Sequence, residues 1–221
     1  MKNYMLLQKS PLFASFSKED LQKLFKCLNV HERKIKKDSF VFRAGDDARS
    51  VYIILSGSMH IVDEDFWGNR SIIETMEVFT FFGEAYAIAS SEKYLVGVMA
   101  AEDSIILELD PTKLFETCLN GCSCHVELIK NTMYILSEKI VRLTEKLGHI
   151  IQRTTREKIL SYLSKCARQA QSNSFDIPYS RQQLADYLCV DRSALSHELS
   201  KMYKSGILKY NKNHFELLAK P

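Results

Sequence analysis

The amino-acid sequence predicts an α+β fold in which a β-rich N-terminal half is followed by one long helix and a helix-turn-helix region. Three observations predict this order. Short β-prone runs fill the region from Ile35 to Leu109, an unbroken apolar heptad pattern covers residues 126–150, and two capped amphipathic helices lie between Ser180 and Leu208. We therefore expect an antiparallel sandwich or barrel, a dimerisation helix and a DNA-reading domain.

Length and composition limit the class of protein. The 221 residues are 46% hydrophobic and 26% charged, which is typical of a soluble globular chain that holds about two domains. No apolar run approaches the roughly 20 residues that cross a bilayer, and the N-terminus lacks the apolar region of a signal peptide. We expect a cytoplasmic protein without a membrane partner.

Charge is distributed unevenly along the chain. Residues 148–221 hold 12 Lys and Arg against 6 Asp and Glu, a net charge of +6, whereas residues 1–147 hold 18 against 21, a net charge of −3. Positive charge therefore accumulates in the same part as the helix-turn-helix pattern, where phosphate groups would be neutralised. This coincidence favours a nucleic-acid partner.

The N-terminal part begins with a predicted helix over residues 12–30, whose apolar stripe is Leu21, Leu24, Phe25 and Leu28. Five β-prone runs follow it: Ser39–Phe42, Val51–Leu55, Met59–Val62, Ile72–Val78 and Ile105–Leu109. The sequence offers no nucleophile–base pair, no phosphate-cradling glycine loop and no metal-binding helix motif, so we do not expect an enzyme.

The long helix has an apolar residue at every a and d position of the heptad repeat. These predicted seam residues are Val126, Ile129, Met133, Leu136, Ile140, Leu143 and Leu147. The pattern favours a parallel homodimer, with an amphipathic helix packed on its own domain as the alternative. The e and g positions hold no complementary charges, so the register of the pair is not set electrostatically. A dimer would present two recognition helices about one DNA turn, ~34 Å, apart.

The helix-turn-helix pattern is defined by its caps and by its apolar face. Ser180 and Gln183 fit a capping box, and Asp191 is placed to cap the second helix through its carboxylate. Burial of Leu195, Leu199 and Met202 would turn the remaining polar face outward. That face consists of Arg192, Ser193, Ser196, His197 and Lys201. A solvated helical hairpin is the alternative, but the agreement of turn, caps and polar face favours a DNA-reading unit.

The segments that flank this motif complete a winged domain. Residues 154–170 are predicted to form a supporting helix, and residues 171–174 a loop. The tail from Ile207 to Leu217 is predicted to form a hairpin, the wing, which turns at Asn211-Lys212-Asn213.

Taken together, these parts resemble the Crp–Fnr family of bacterial transcription regulators. The resemblance is based on Gly45, Tyr52 and Gly57 in AGDDARSVYIILSG, on Phe82-Gly83-Glu84, and on TTREKILSYL, SRQQLADYL and DRSALSHELSKM. It implies a jelly-roll-like, cyclic-nucleotide-binding-like β-roll sensor over residues 1–120, a dimerisation helix over 121–150 and a winged helix-turn-helix over 151–221. The implied partners are double-stranded DNA with a palindromic operator, RNA polymerase, a second copy of the chain and a small-molecule effector.

The resemblance also implies roles for individual residues. Arg192 and Ser193 match the start of the family's recognition helix, and His197 stands where many members have a second base-contacting Arg. A shorter, mostly neutral side chain at that position predicts a weaker or altered base preference. Phosphate contacts are implied for Arg181 and Gln182, and the predicted DNA-contacting set also includes Gln183 and Asp191.

The sensor departs from the family's pattern. Members that bind cyclic nucleotides have an Arg-Ser/Thr pair about ten residues after the Gly83-Glu84 element, whereas this chain has Tyr94 and Leu95 at those positions. Without a guanidinium group, a buried phosphate loses its bidentate partner. Lys93 could replace it only if its loop turned the side chain inward, and Glu84 could have a structural role. We expect no tight binding of cyclic AMP and no bound cofactor.

The cysteines suggest an alternative. Cys118, Cys122 and Cys124 lie close together beside His125, and thiolates grouped in this way can bind a soft metal or an iron–sulfur cluster. The alternative function is therefore a redox- or metal-sensing regulator. Structural cysteines are the simpler interpretation, because the spacing matches no strong zinc or ferredoxin pattern. Cys27, Cys166 and Cys189 are predicted to be small core residues.

Overall fold

The computed structural model describes residues 7–89, 93–115 and 123–218. The chain forms two compact units that divide after Leu136. The first unit contains two antiparallel sheets, and the second contains helices and a small sheet. The α+β fold class predicted from the sequence is confirmed.

Helix α1 (Lys18–Cys27) is fixed at its start by a capping box. The Ser17 hydroxyl accepts a hydrogen bond from the Asp20 amide at 3.1 Å, and the Asp20 carboxylate accepts one from the Ser17 amide at 3.3 Å. The apolar stripe predicted for this helix is buried. The helix is shorter than the predicted 12–30, because the capping box at Ser17 sets its first residue and turns precede it.

Two four-stranded antiparallel sheets form the sensor. One contains β1 (His31–Ile35), β3 (Val51–Ser56), β6 (Phe81–Phe82) and β8 (Ser104–Leu109), in the order β1-β8-β3-β6. The other contains β2 (Phe40–Phe42), β4 (Met59–Glu64), β5 (Arg70–Met76) and β7 (Gly97–Ala100), in the order β2-β7-β4-β5. Short helices α2 (Glu84–Ile88) and α3 (Pro111–Phe115) follow β6 and β8 respectively.

The alternation of side chains along β3 places two cores on opposite faces of the first sheet. Tyr52 and Ile54 join a core that includes residues of both sheets, whereas Val51 and Ile53 join a core that includes α1. The sequence located five of these strands but missed β1, β6 and β7. Strand β1 is mostly charged and exposed, and β6 has only two residues, so neither shows a strand periodicity.

Helix α4 (Ser123–Ile150) is the long helix of the prediction. Its N-terminal half packs against the first unit through Leu128 and Ile135, which share a core with α1. The side-chain amide of Asn131 donates a hydrogen bond to the Leu12 carbonyl at 3.0 Å. The division between the two compact units falls within this helix.

The second unit has the order of a winged helix-turn-helix. Its elements are α5 (Thr155–Ala170), β9 (Ser174–Asp176), α6 (Arg181–Tyr187), α7 (Arg192–Lys204), β10 (Leu208–Asn211) and β11 (His214–Leu217). Strands β10 and β11 form the predicted wing. Strand β9 pairs with β11, although the sequence predicted only a loop before it. A single buried residue of β9, Phe175, joins the core, which is too little for a recognisable pattern.

Gly57 provides a test of the sensor fold. It lies where the chain passes from β3 to β4, has φ of +81°, and a Cβ there would lie 2.1 Å from the Ser104 hydroxyl and 2.9 Å from the Ser104 Cα. We expect Gly57→Ala to lower the free energy of unfolding by about 2–4 kcal/mol, since left-handed strain and steric overlap add. Denaturant unfolding monitored by circular dichroism measures this loss.

Gly68→Ala is the matched control. Gly68 has φ of +82°, but nothing lies within 4 Å of a Cβ built there, so only the backbone strain of about 1 kcal/mol is expected. Equal losses for the two variants would contradict the close approach to Ser104.

Candidate functional site

The first helix of the motif, α6, begins at its predicted capping box. The Ser180 hydroxyl accepts a hydrogen bond from the Gln183 amide at 3.3 Å, and Gln183 Oε1 accepts one from the Ser180 amide at 2.8 Å. The polar side chain of Gln183 is therefore used by the cap. Its neighbour Gln182 is exposed and donates a hydrogen bond to Asp186 Oδ1 at 2.8 Å.

The turn between α6 and α7 is held by a residue outside the motif. Lys158 of α5 directs its ammonium group to the carbonyl oxygens of Leu188 and Cys189, at 3.3 and 3.4 Å. These carbonyls lie at the C-terminal end of α6, where a positive charge is favourable. Sequence reasoning missed Lys158, because its partners are backbone atoms about thirty residues away and leave no local pattern.

Two expectations for this turn were wrong. Asp191 is the N-cap of α7 by position, but its carboxylate accepts no capping hydrogen bond. Cys189 is not a core residue. Its φ of +51° belongs to the turn, and its side chain is exposed. Cys27, at the end of α1, is also exposed, and Cys166 is only half-buried.

Helix α7 presents a polar face opposite a fully buried apolar face. Leu195, Leu199 and Met202 are buried in the core of the second unit. The predicted contact residues lie on the other side: Arg192, Ser193, His197 and Lys201 are exposed and Ser196 is half-buried. Among the residues that the structure describes, no carboxylate pairs with Arg192, whereas Lys201 lies 3.6 Å from Glu198. The guanidinium of Arg192 is available to a ligand.

Arg181 is held against the wing. Its guanidinium lies over the rings of Tyr210 and Phe215, at 5.0 and 5.6 Å from the ring centroids, and donates a hydrogen bond to the Lys212 carbonyl at 3.3 Å. Burial lowers the pKa of this guanidinium from its usual value. This arrangement joins the start of α6 to the turn of the wing, a positioning role that the sequence did not predict.

Helix α4 has two apolar stripes that differ in burial. Leu128, Thr132 and Ile135 are buried, and the Thr132 hydroxyl donates a hydrogen bond to the Leu128 carbonyl at 2.8 Å. The predicted seam is a different stripe, which is exposed at Val126, Met133, Ile140, Leu143 and Leu147 and half-buried at Ile129 and Leu136. One apolar face of α4 therefore packs on its own unit, while the other faces solvent in a single chain.

The predicted effector-pocket residue Tyr94 is buried in an aromatic cluster of the first unit. Tyr94 is 1% exposed and stacks on Phe42 with the ring centroids 3.7 Å apart and the planes 12° apart. Its hydroxyl donates a hydrogen bond to the Ser50 carbonyl at 2.8 Å, and burial raises the pKa of this phenol. Tyr52, Phe82 and Tyr86 complete the aromatic cluster.

The other predicted sensor residues differ in burial and in their distance from this cluster. Gly83 has φ of +81°, and a Cβ there would lie 3.1 Å from the Tyr52 ring. Glu84 is buried at the start of α2. Leu95 lies apart from the cluster, since its side chain is 74% exposed. Lys93 does not turn inward: its ammonium pairs with Asp47 at 2.5 Å on the surface.

The cysteine cluster is only partly within the described residues. Cys118 and Cys122 lie outside them, while Cys124 is half-buried and its thiol donates a hydrogen bond to Asp20 Oδ1 at 3.5 Å. Over residues 7–89, 93–115 and 123–218, no three His, Cys, Asp or Glu side chains are grouped to hold a metal ion. In the same ranges no helix has the length and apolar character needed to span a membrane.

Comparison with known proteins agrees with this architecture. The protein-family model of the cyclic nucleotide-binding domain matches residues 32–120 of the sequence. The protein-family model of the Crp-like helix-turn-helix domain matches residues 157–220. The anaerobic regulatory protein of Bacillus subtilis is 20% identical over 206 residues, which cover 91% of this chain and 84% of that protein. Transcriptional activator protein FnrA of Stutzerimonas stutzeri is 24% identical over 184 residues, covering 80% and 72%.

A solved structure shows the same fold. The regulator CLP of Xanthomonas campestris, described as c-di-GMP responsive, aligns with a TM-score of 0.57 and 19% identity, covering 92% of this chain and all of that one. A cyclic nucleotide-binding-type domain joined to a DNA-binding helix-turn-helix defines a class of transcription regulators. The chain belongs to the Crp–Fnr family.

Proposed function

We propose that this chain is a homodimeric, sequence-specific regulator that binds a palindromic operator and does not use cyclic AMP as its effector. The observation that supports this most directly is the exposed face of α7, at whose N-terminal end Arg192 pairs with no carboxylate of the described ranges. RNA polymerase and a small-molecule effector are further partners of the proposal.

Base reading is assigned to the first turns of α7. Arg192 has the planar fork that forms bidentate hydrogen bonds with guanine in the major groove, and Ser193 and Ser196 supply hydroxyl groups beside it. His197 lies one turn further along the exposed face, where a shorter side chain reaches less far than arginine. Discrimination would therefore depend chiefly on Arg192.

Phosphate binding is assigned to the exposed polar residues around the motif. Gln182 and Lys201 are exposed on α6 and α7, and Lys212 is exposed at the turn of the wing. Arg181 would act on phosphate mainly by fixing the position of that turn, since its guanidinium packs on Tyr210 and Phe215. The net charge of +6 over residues 148–221 supports this assignment.

Dimerisation is assigned to the exposed stripe of α4. Large apolar side chains at a and d positions each gain roughly 1 kcal/mol or more when they leave water, and a second copy of the same stripe would cover them. The buried stripe at Leu128 and Ile135 already attaches the helix to its own unit. A parallel pair would place two α7 helices on successive major grooves, and a shift in the packing of the pair would change their spacing.

The lack of a response to cyclic AMP is assigned to Tyr94. A cyclic phosphate at this site would have no guanidinium partner and would have to displace a ring that is stacked, hydrogen-bonded and 1% exposed. The redox- or metal-sensing alternative depends on Cys118 and Cys122, which lie outside the described residues, and it stays a prediction.

Arg192→Ala tests base reading. We expect specific operator affinity to fall by about 1–3 kcal/mol because the bidentate contact is lost, while affinity for random duplexes is nearly unchanged. Fluorescence anisotropy with an operator selected in vitro from random duplexes measures both. Lys204→Ala, on an exposed position in the last turn of α7, is the control for loss of charge alone. An equal loss on specific and random DNA would refute the assignment.

Leu143→Lys tests the dimer seam. Leu143 is 64% exposed in the single chain, so the substitution should leave each chain folded while placing two ammonium groups in the proposed interface. We expect loss of dimer in analytical ultracentrifugation together with loss of operator binding. Val141→Lys is the matched control, because Val141 is 56% exposed on the same helix but lies off the a and d positions. A variant Leu143→Lys that still dimerises would exclude this seam.

Calorimetry with cyclic AMP tests the sensor assignment. We expect no heat of binding at micromolar concentrations, because Tyr94 and Leu95 stand in place of the family's Arg-Ser/Thr pair and the Tyr94 ring would have to be displaced. As a second measurement, Tyr94→Ala should lower the free energy of unfolding by about 3–5 kcal/mol, as expected for loss of a buried aromatic ring, whereas Leu95→Ala should change it by less than about 0.5 kcal/mol. Tight binding of cyclic AMP by the unaltered protein would overturn the assignment.

A further inference from the structure

His149 connects three helices of the second unit through one ring. It lies in the last turn of α4 and is only 5% exposed, and its Nδ1 lies 2.8 Å from the Ser161 hydroxyl of α5. The ring packs edge-to-face on Tyr162 of α5, with the centroids 5.7 Å apart, and lies 6.3 Å from the ring of Tyr187 in α6. The end of the predicted dimerisation helix thus contacts both helices that support the recognition helix.

The second ring nitrogen of His149 has no hydrogen-bond partner among the described residues. Nε2 is buried and forms no hydrogen bond with any of the residues that the structure describes. A neutral imidazole needs an acceptor for only one N–H, and the Ser161 hydroxyl can accept it from Nδ1. An imidazolium has two N–H groups, and the one at Nε2 would be buried without an acceptor. The packed arrangement therefore fits only the neutral ring.

The surrounding charges also disfavour a positive ring. Lys165 and Arg168 of α5 both oppose protonation, and Glu145 of α4, which would favour it, is ion-paired with Lys165. Burial, followed by these cations, lowers the pKa of His149 from its ordinary value. Tyr162 and Tyr187 add only neutral rings, and Tyr179 and Cys166 border the same cluster. Lys146 of α4 lies over the Tyr187 ring, with its ammonium 5.6 Å from the centroid.

The ring lies beside a hollow in the protein surface. This hollow is lined by Glu145, His149, Lys165, Arg168 and Gln169. Small local opening of the α4–α5 contact would therefore expose Nε2 to water, without unfolding of the unit.

We propose that His149 is a proton-controlled latch, which in its neutral form fixes the end of α4 to α5 and α6 and on protonation releases that contact and weakens operator binding. This proposal rests on the proposed DNA-binding function and adds a regulatory input to it, for which the ligand is the proton.

The direction of the pH dependence follows from linkage. In the released form the ring would have an ordinary pKa of about 6.5, whereas in the latched form the pKa is lower, so protons favour the released form as the pH falls below about 6.5. The latch is fully formed above that pH and is lost progressively below it. Binding of this one proton lowers the ratio of latched to released protein by at most about tenfold between about pH 7.5 and 5.5.

The other histidines of the DNA-binding unit would act in the opposite direction. His197 is exposed on α7, and His214 lies on the wing between Ser174 and Asp176, at 3.0 Å from a side-chain oxygen of each. Protonation of either ring adds positive charge near the phosphates and would strengthen DNA binding. A loss of operator affinity at low pH that is abolished when His149 is replaced therefore identifies the latch.

The test compares operator affinity across pH for the full-length protein and two variants. His149→Gln cannot be protonated, and its amide can still bond with Ser161; His31→Gln removes an exposed histidine of β1 and is the matched control. We expect the ratio of the wild-type Kd to the His149→Gln Kd to rise by up to about tenfold from about pH 7.5 to 5.5, while His31→Gln follows the wild type. Parallel profiles for wild type and His149→Gln would overturn the proposal.

A second measurement keeps the proposal testable if His149→Gln folds poorly. Nuclear magnetic resonance titration of the imidazole rings of the unaltered protein should show His149 titrating below the ordinary imidazole pKa of about 6.5. A pKa of His149 at or above about 6.5 would overturn the latch. Failure to bind any duplex at any pH would instead contradict the proposed DNA-binding function, and with it the regulatory role of the latch.

Discussion

The structure depends most on the two apolar stripes of α4. The stripe at Leu128 and Ile135 is buried against the sensor's own core, which fixes the helix to the first unit. The stripe at Met133, Ile140 and Leu143 is exposed, and no described residue covers it. A helix with one buried and one exposed apolar face is stable as part of its unit and still has apolar surface that a partner can cover. The heptad pattern left two alternatives open: packing of the helix on its own unit and packing on a second copy. The first applies to the buried stripe, and the proposed dimer would use the exposed one.

Local patterns were sufficient to predict the parts of the fold that depend on local interactions. The capping box at Ser180 and Gln183 and the buried face at Leu195 and Leu199 follow from residues within one or two helical turns of each other. The missed features depend on contacts between distant residues. Strand β9 exists because Phe175 pairs with Phe215, and the motif turn is held by Lys158 from another helix. Such partners leave no periodicity in the chain.

The predicted effector pocket shows the same limit of sequence-based prediction at a single residue, Tyr94. The sequence reveals that Tyr94 stands where an arginine would be expected from the family resemblance, and so it predicts the loss of a phosphate partner. It does not reveal what occupies the space. That outcome depends on Phe42, on which the ring stacks, and on the Ser50 carbonyl, which accepts a hydrogen bond from the Tyr94 hydroxyl. Both partners lie more than forty residues away in the chain, so a motif comparison predicts the absence of one interaction without predicting its replacement.

If Tyr94 fills the effector site as proposed, cyclic AMP does not switch the protein, and a further input besides the unidentified effector can act on it. A conformational equilibrium can be shifted only by an influence that favours one arrangement over the other, whatever its distance from the sensor. The last turn of α4 meets that requirement through His149, because one packed arrangement accepts only the neutral ring. A single proton with the properties proposed here changes the balance by at most about tenfold over two pH units, far less than the roughly ten-thousandfold needed to drive a population from one state almost entirely to the other. The latch would therefore adjust the response of an already active regulator, and full switching would require the small-molecule effector that remains part of the proposed function.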